Sequence, residues 1–291
     1  MRYFVSFTSI LIVFAVLSSC KQHQVTSYPD KIFDTEIPEG DILNKMIFSI
    51  PSPHQISLLI KDDYPDYEES IFQKRIDLNH YSTSEKRALV LGALCVDVGY
   101  LSLYDQKELT IQYLDNIKSI ISTSRHSNPN ASATFKRINN NLNNSDSILT
   151  IISEITRQEN EAVQEGEMSY LGPLIVAGGW IESFYILNTL YNNSKNSNLF
   201  GIILQQQCVL ENLIQILRPY YKKSSEYTDV MNRLVEIAYE FDVVDINYKN
   251  VAPINSENVT TIKCRFTPLL SGSQLDKINE LSGSLRKHLI F

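Results

Sequence analysis

The sequence predicts an all-α fold, a multi-helix bundle of about eight helices, on three observations. Apolar residues recur at a 3.6-residue period. Ile148, Ile151, Ile152 and Ile155 make one such stripe, and Ile111, Leu114, Ile117 and Ile121 another. Helix-start devices punctuate the chain at regular intervals. Only residues 243–268, with VVDINY and VTTIKCRF around Pro253, allow a short irregular or β excursion.

The elements follow in order. Ser52-Pro53-His54-Gln55 supplies an N-cap serine, a proline at the first helical position and a capping-box glutamine. Ser82-Thr83-Ser84-Glu85 forms a second box and leads into KRALVLGALCVDVGYLSLY. Asp105-Gln106-Lys107-Glu108 caps LTIQYLDNIKSII, and Asn128-Pro129 repeats the cap-plus-proline device before a short segment ending near Asn139. Asn144-Ser145-Asp146 opens a long amphipathic stretch reaching about Glu165. Gly172-Pro173 opens LIVAGGWIESFYILNTLY, and Asn198 precedes FGIILQQQCVLENLIQIL, which Arg218-Pro219 stops. Ser224-Ser225 begins a segment through Phe241, and Ser271 to Gln274 starts the last helix. No repeat of helical-array period is present, and no linker interrupts the helices, so residues 40–291 read as a single domain.

The amino terminus reads as an address. Arg2 precedes an apolar run from Tyr3 to Leu17, too short for a lasting transmembrane helix and typical of a secretory signal peptide over residues 1–19. Leu17-Ser18-Ser19-Cys20 resembles the lipobox of bacterial lipoproteins, which implies lipidation of Cys20 and attachment to a membrane through its acyl chains. Residues 20–39 are then the lipidated cysteine and a tether. Lys21 in place of an acidic residue resembles lipoproteins sent onward to the outer membrane, and the orientation expected is toward the periplasm.

Composition narrows the functional classes. The net charge is -7, and -8 for residues 20–291, with no basic stripe, which speaks against a nucleic-acid partner. Ten glycines and no phosphate-cradling motif disfavour nucleotide-binding loops, and no G-x-S-x-G elbow is present. His23, His54, His80, His126 and His288 show no metal-ligand spacing, so no metal and no cofactor is expected. The acidic run from Asp62 to Glu69 lacks the spacing and the glycine of a calcium loop and reads as solvated. Clusters at Asn139–Asn144 and Asn192–Asn198 read as caps and turns. Cys95 and Cys208 sit in apolar helical runs, where burial as small hydrophobes accounts for them. No spacing rule pairs them or Cys264.

Two helices carry the remaining suspicion. Asp97 is a lone acid in an apolar run, and so is Glu182. Each is followed three residues on by a tyrosine on the same face, Tyr100 and Tyr185. Interior glycines accompany both, Gly92 and Gly99 in one helix and Gly178-Gly179 beside Trp180 in the other. One reading makes an inter-helix pocket lined by Trp180, Tyr100, Tyr104 and Tyr185, with Asp97 and Glu182 as polar anchors or as an acid/base pair. The other pairs the acids with Lys or Arg and uses the glycines only for close packing.

The runs LGALCVDVGYLSLYDQ (91–106), NNSDSILTIISE (143–154) and AGGWIESFYI (177–186) resemble a group of uncharacterised helical lipoproteins of Bacteroidota, over roughly residues 45 to 220. That resemblance implies a helical fold and an envelope location, and assigns no catalytic residue. The function expected is a membrane-anchored helical binding or interaction module, with an envelope protein or a small molecule as partner. The alternative is a small-ligand carrier or enzyme using Asp97 and Glu182.

Overall fold

The structure is a computed structural model describing residues 50, 53–72, 76–123, 131–164, 169–242, 245–250, 254–256, 259–261, 264–269 and 271–290. The expected signal peptide, Cys20, the expected tether and the Asn128-Pro129 device lie outside these residues. The fold is an all-α multi-helix bundle. Nine α-helices occur among the described residues: α1 (Pro53–Asp63), α2 (Ser84–Leu103), α3 (Lys107–Thr123), α4 (Ala131–Asn139), α5 (Ser145–Gln164), α6 (Leu171–Ser194), α7 (Ser197–Leu217), α8 (Ser225–Asp242) and α9 (Gly272–Leu289). Between α8 and α9 run two antiparallel ladders, β1 (Asp245–Asn250) with β4 (Cys264–Leu269) and β2 (Ile254–Ser256) with β3 (Val259–Thr261). None of the described helices is long and apolar enough to cross a membrane.

The centre of the bundle is the pair α2 and α6. Both are apolar on every face, and a helix of that kind is stable only when enclosed. Every residue of α2 from Ala88 to Leu101 is buried, and α6 is buried over nearly its whole length. The remaining helices wrap this pair, with α1, α3 and α5 against α2 and α7 and α9 against α6. Glycines set the spacing of the central pair. A Cβ on Gly178 would stand 1.8 Å from the Leu89 carbonyl oxygen, and one on Gly92 would stand 1.9 Å from that of Ile175. The two backbones therefore touch, which side chains at those positions would forbid.

The start and stop devices are mostly where the sequence places them, with instructive displacements. Thr83, one residue later than the Ser82 box implies, caps α2 by accepting from the Lys86 N–H. Asp105 ends α2 rather than starting α3: its φ of 56° turns the chain left-handed, and the Gln106 N–H returns to the Leu101 carbonyl. Asn196, not Asn198, caps α7, while Lys195 takes the left-handed position after α6. Asn144 caps α5, and Ser271 with Gln274 closes a full capping box on α9. On α3 the buried face runs through Thr110, Tyr113, Leu114, Ile117, Ile120 and Ile121, and Ile111 points to solvent.

Candidate functional site

Asp97 sits in the buried length of α2, and Glu182 in that of α6. Both are fully buried, at 0 % exposure. The crossing of α2 and α6 brings the two carboxyl groups together, and the third member of the junction is Arg286, from the last turns of α9. The Arg286 Nε–H donates to Glu182 Oε1 at 2.9 Å and Oε2 at 2.8 Å. Its Nη2 donates to the Ile71 carbonyl at 3.2 Å, and the guanidinium lies 4.2 Å from the centre of the Tyr185 ring. Glu182 and Tyr185, one turn apart, thus hold the same cation from one helix face.

The charges do not balance. Among the described residues, two acids face one guanidinium, and neither oxygen of Asp97 meets a hydrogen-bond donor. Desolvation, then the neighbouring Glu182 charge, raise the Asp97 carboxyl well above its ordinary range, against the opposing pull of Arg286. That direction favours the protonated form of Asp97, the form able to share a hydrogen bond with the neighbouring Glu182 carboxylate. For Arg286, burial works against the charge, but Glu182 and its hydrogen bonds outweigh it and keep the guanidinium charged. Tyr81, whose hydroxyl donates to the Ile290 carbonyl at 2.5 Å, closes the end of α9 beside this junction. Burial pushes its phenol up to about 12.

The tyrosines and the tryptophan are distributed differently. Tyr100 and Tyr104 join Tyr67 and Phe72 in an aromatic cluster beyond Asp97, with ring centroids 4.5 Å apart for Tyr100–Tyr104 and 5.2 Å for Phe72–Tyr100. The Tyr104 hydroxyl donates to the Tyr64 carbonyl, and Lys61 lies 3.8 Å over the Tyr104 ring centre. Trp180, two residues from Glu182 on a helix, turns to another face. Its Nε1–H donates to Gln206 Oε1 of α7 at 3.1 Å, and its ring stacks on Phe184 at 4.8 Å. Of the six candidate residues, Asp97, Glu182 and Tyr185 share the junction, Tyr100 and Tyr104 border it, and Trp180 packs elsewhere.

Two further features have defined places. The acidic run is tied to the second asparagine cluster: Asn193 donates to Glu68 Oε2 at 2.8 Å, and Asn198 donates to Asp63 Oδ1 at 2.6 Å. Among the described residues, no three His, Cys, Asp or Glu side chains group so as to hold a metal ion. Cys95 is buried and free, its thiol pushed up to about 12 by burial, whereas Cys208 is free and exposed rather than buried as its apolar run implies. An open cleft of about 520 Å³ lies at the turn between α2 and α3, lined by Glu69, Phe72, Lys107, Glu108, Leu109 and Gln112.

Arg286 escapes a reading centred on α2 and α6 because it lies more than a hundred residues along the chain from Glu182. A signal for it exists. The buried stripe of α9 runs through Leu275, Ile278, Ser282 and Leu285, and Arg286 falls on that same face, where an unpaired cation would be costly. No family model, curated protein or solved structure matches this chain.

Proposed function

We propose that this protein is a lipid-anchored component of the cell envelope, attached through Cys20 at the outer membrane and facing the periplasm. Its helical body acts as a binding or interaction module and not as an enzyme. The anchor rests on the Leu17-Ser18-Ser19-Cys20 run behind a short apolar signal. The resemblance to helical lipoproteins of Bacteroidota supports the same location.

The observation that carries the non-catalytic reading is the commitment of the two lone acids. Glu182 gives both oxygens to Arg286, Asp97 lies against Glu182, and both are sealed from solvent. A general acid or base must reach a substrate proton within hydrogen-bond distance, and among the described residues these groups face each other, the cation, the tyrosines around it and packed helix. The alternative carrier or enzyme would need space beside the carboxylates, and both are fully buried between helices whose backbones touch about a turn away, at Gly92 and Gly178.

The anchor is tested by feeding cells a radioactive fatty acid. The wild-type protein is expected to take up label and fractionate with the outer membrane, and Cys20→Ala to lose both properties. Equal labelling of the two proteins would refute the anchor.

A further inference from the structure

Arg286 holds two things at once, the Glu182 carboxylate and the Ile71 carbonyl. Ile71 is itself buried at 1 % exposure and ends the short turn Glu69–Ile71, whose Phe72 N–H closes back onto the Glu69 carbonyl. Glu69 and Phe72 are one wall of the cleft at the α2–α3 turn, and Phe72 also stacks on Tyr67 and packs at a tilt against Tyr100. The guanidinium thus links the interior acid pair to the wall of a surface cleft.

We propose that the Asp97–Glu182–Arg286 junction is a proton-operated clasp on that wall. With Asp97 protonated, one carboxylate faces one guanidinium, and Arg286 has an N–H to spare for Ile71. With Asp97 ionised, two carboxylates compete for the same cation, and the Asp97 oxygens have no other donor. The guanidinium then turns toward Asp97, the Ile71 carbonyl loses its tie, and the Glu69–Phe72 wall of the cleft loosens. The only chemical event is loss of the Asp97 proton to solvent base, with no bond to carbon made or broken.

Among the described residues, the groups around Asp97 leave Arg286 as the cation that must answer. Glu182 and Tyr185 face the junction from α6. Tyr67 and Tyr81, with Asp77 behind them, approach from the chain before α2. Cys95 precedes Asp97 on α2 itself, and Glu159 of α5 lies near Cys95. Lys61 of α1 is directed to the Tyr104 ring and the Pro65 carbonyl. His288 of α9 sits half-exposed on Asp229 of α8, away from the junction.

The sign of the effect follows from the raised Asp97 carboxyl. The folded chain holds a proton that the unfolded chain releases near the ordinary aspartate value. Stability is therefore greatest at the acid end of that window and falls as pH rises through the folded value. Hydrogen–deuterium exchange of the peptide spanning Glu69–Phe72, corrected for the intrinsic pH dependence of amide exchange, measures the clasp between pH 5 and 9. In the wild type the corrected exchange of this peptide should rise with pH by tenfold or more, while the α7 peptides stay level. In Asp97→Asn, which cannot ionise at that position, it should stay level throughout. Infrared spectra of the wild type should show the carbonyl stretch of a protonated carboxylic acid that fades as the corrected exchange rises, a readout that does not depend on the variant folding. A wild-type spectrum without that band at the acid end of the range, or an Asp97→Asn profile matching the wild type, overturns the proposal.

Discussion

At the scale of single residues, Arg286 is the side chain on which most depends. Glu182 at 0 % exposure cannot recover hydration if its partner is removed, and an uncompensated buried charge is far more costly than the pair is stabilising. Arg286→Met is expected to lower unfolding stability by about 3–5 kcal/mol, read from urea denaturation midpoints at constant slope. The two described thiols differ as sharply. Cys208 is exposed and Cys95 is sealed with a raised pKa, and only thiolates react. Iodoacetamide labelling of the native protein, mapped by mass spectrometry, should mark Cys208 within minutes and Cys95 only in denaturant. Labelling of native Cys95 at a comparable rate would contradict the packing of α2.

At the scale of elements, the contact of α2 with α6 decides the architecture. Glycine in a helix interior costs about 1 kcal/mol relative to alanine, and here that cost has a visible return, because Gly92 and Gly178 let two backbones meet. Gly201 on α7 has open space where its Cβ would be and so makes a control. Gly178→Ala is expected to cost about 3 kcal/mol or more, since its Cβ would collide with backbone that cannot yield. Gly201→Ala is expected to add about 0.5–1 kcal/mol. Paired thermal melts check both, and a Gly178→Ala protein as stable as the wild type would refute the close crossing. The glycines were legible as a demand for either packing or a ligand. Sequence alone leaves that choice open, because the partner backbone comes from a helix some eighty residues away.

At the scale of the whole molecule, α9 closes the bundle. It delivers Arg286 to Glu182, offers the Ile290 carbonyl to Tyr81 and packs on α6 and α8. A chain truncated after residue 270 would leave Asp97 and Glu182 with no cation and strip cover from α6. Such a chain is expected to lose cooperative unfolding by calorimetry and to bind hydrophobic dye, whereas a soluble, cooperatively melting product would show that α9 is dispensable. The helix pattern, most helix boundaries and the two odd acids were readable from local information. Periodicity, caps and composition act over a few residues, so a linear sequence displays them. Local shifts such as Thr83 for Ser82 and Asn196 for Asn198 arise where several capping residues stand side by side and the tertiary entry angle selects one.

By itself the sequence determined that the chain folds as an all-helical bundle, and that Asp97 and Glu182 are the polar groups needing explanation. Tertiary structure decided what those acids do. It set them against one another, supplied one guanidinium for two carboxyls, and sent Trp180 to Gln206 instead of to the acids. The physical reason is that electrostatic partnership inside a protein depends on distance and dielectric, not on separation along the chain. Arg286 reaches Glu182 only because the bundle closes.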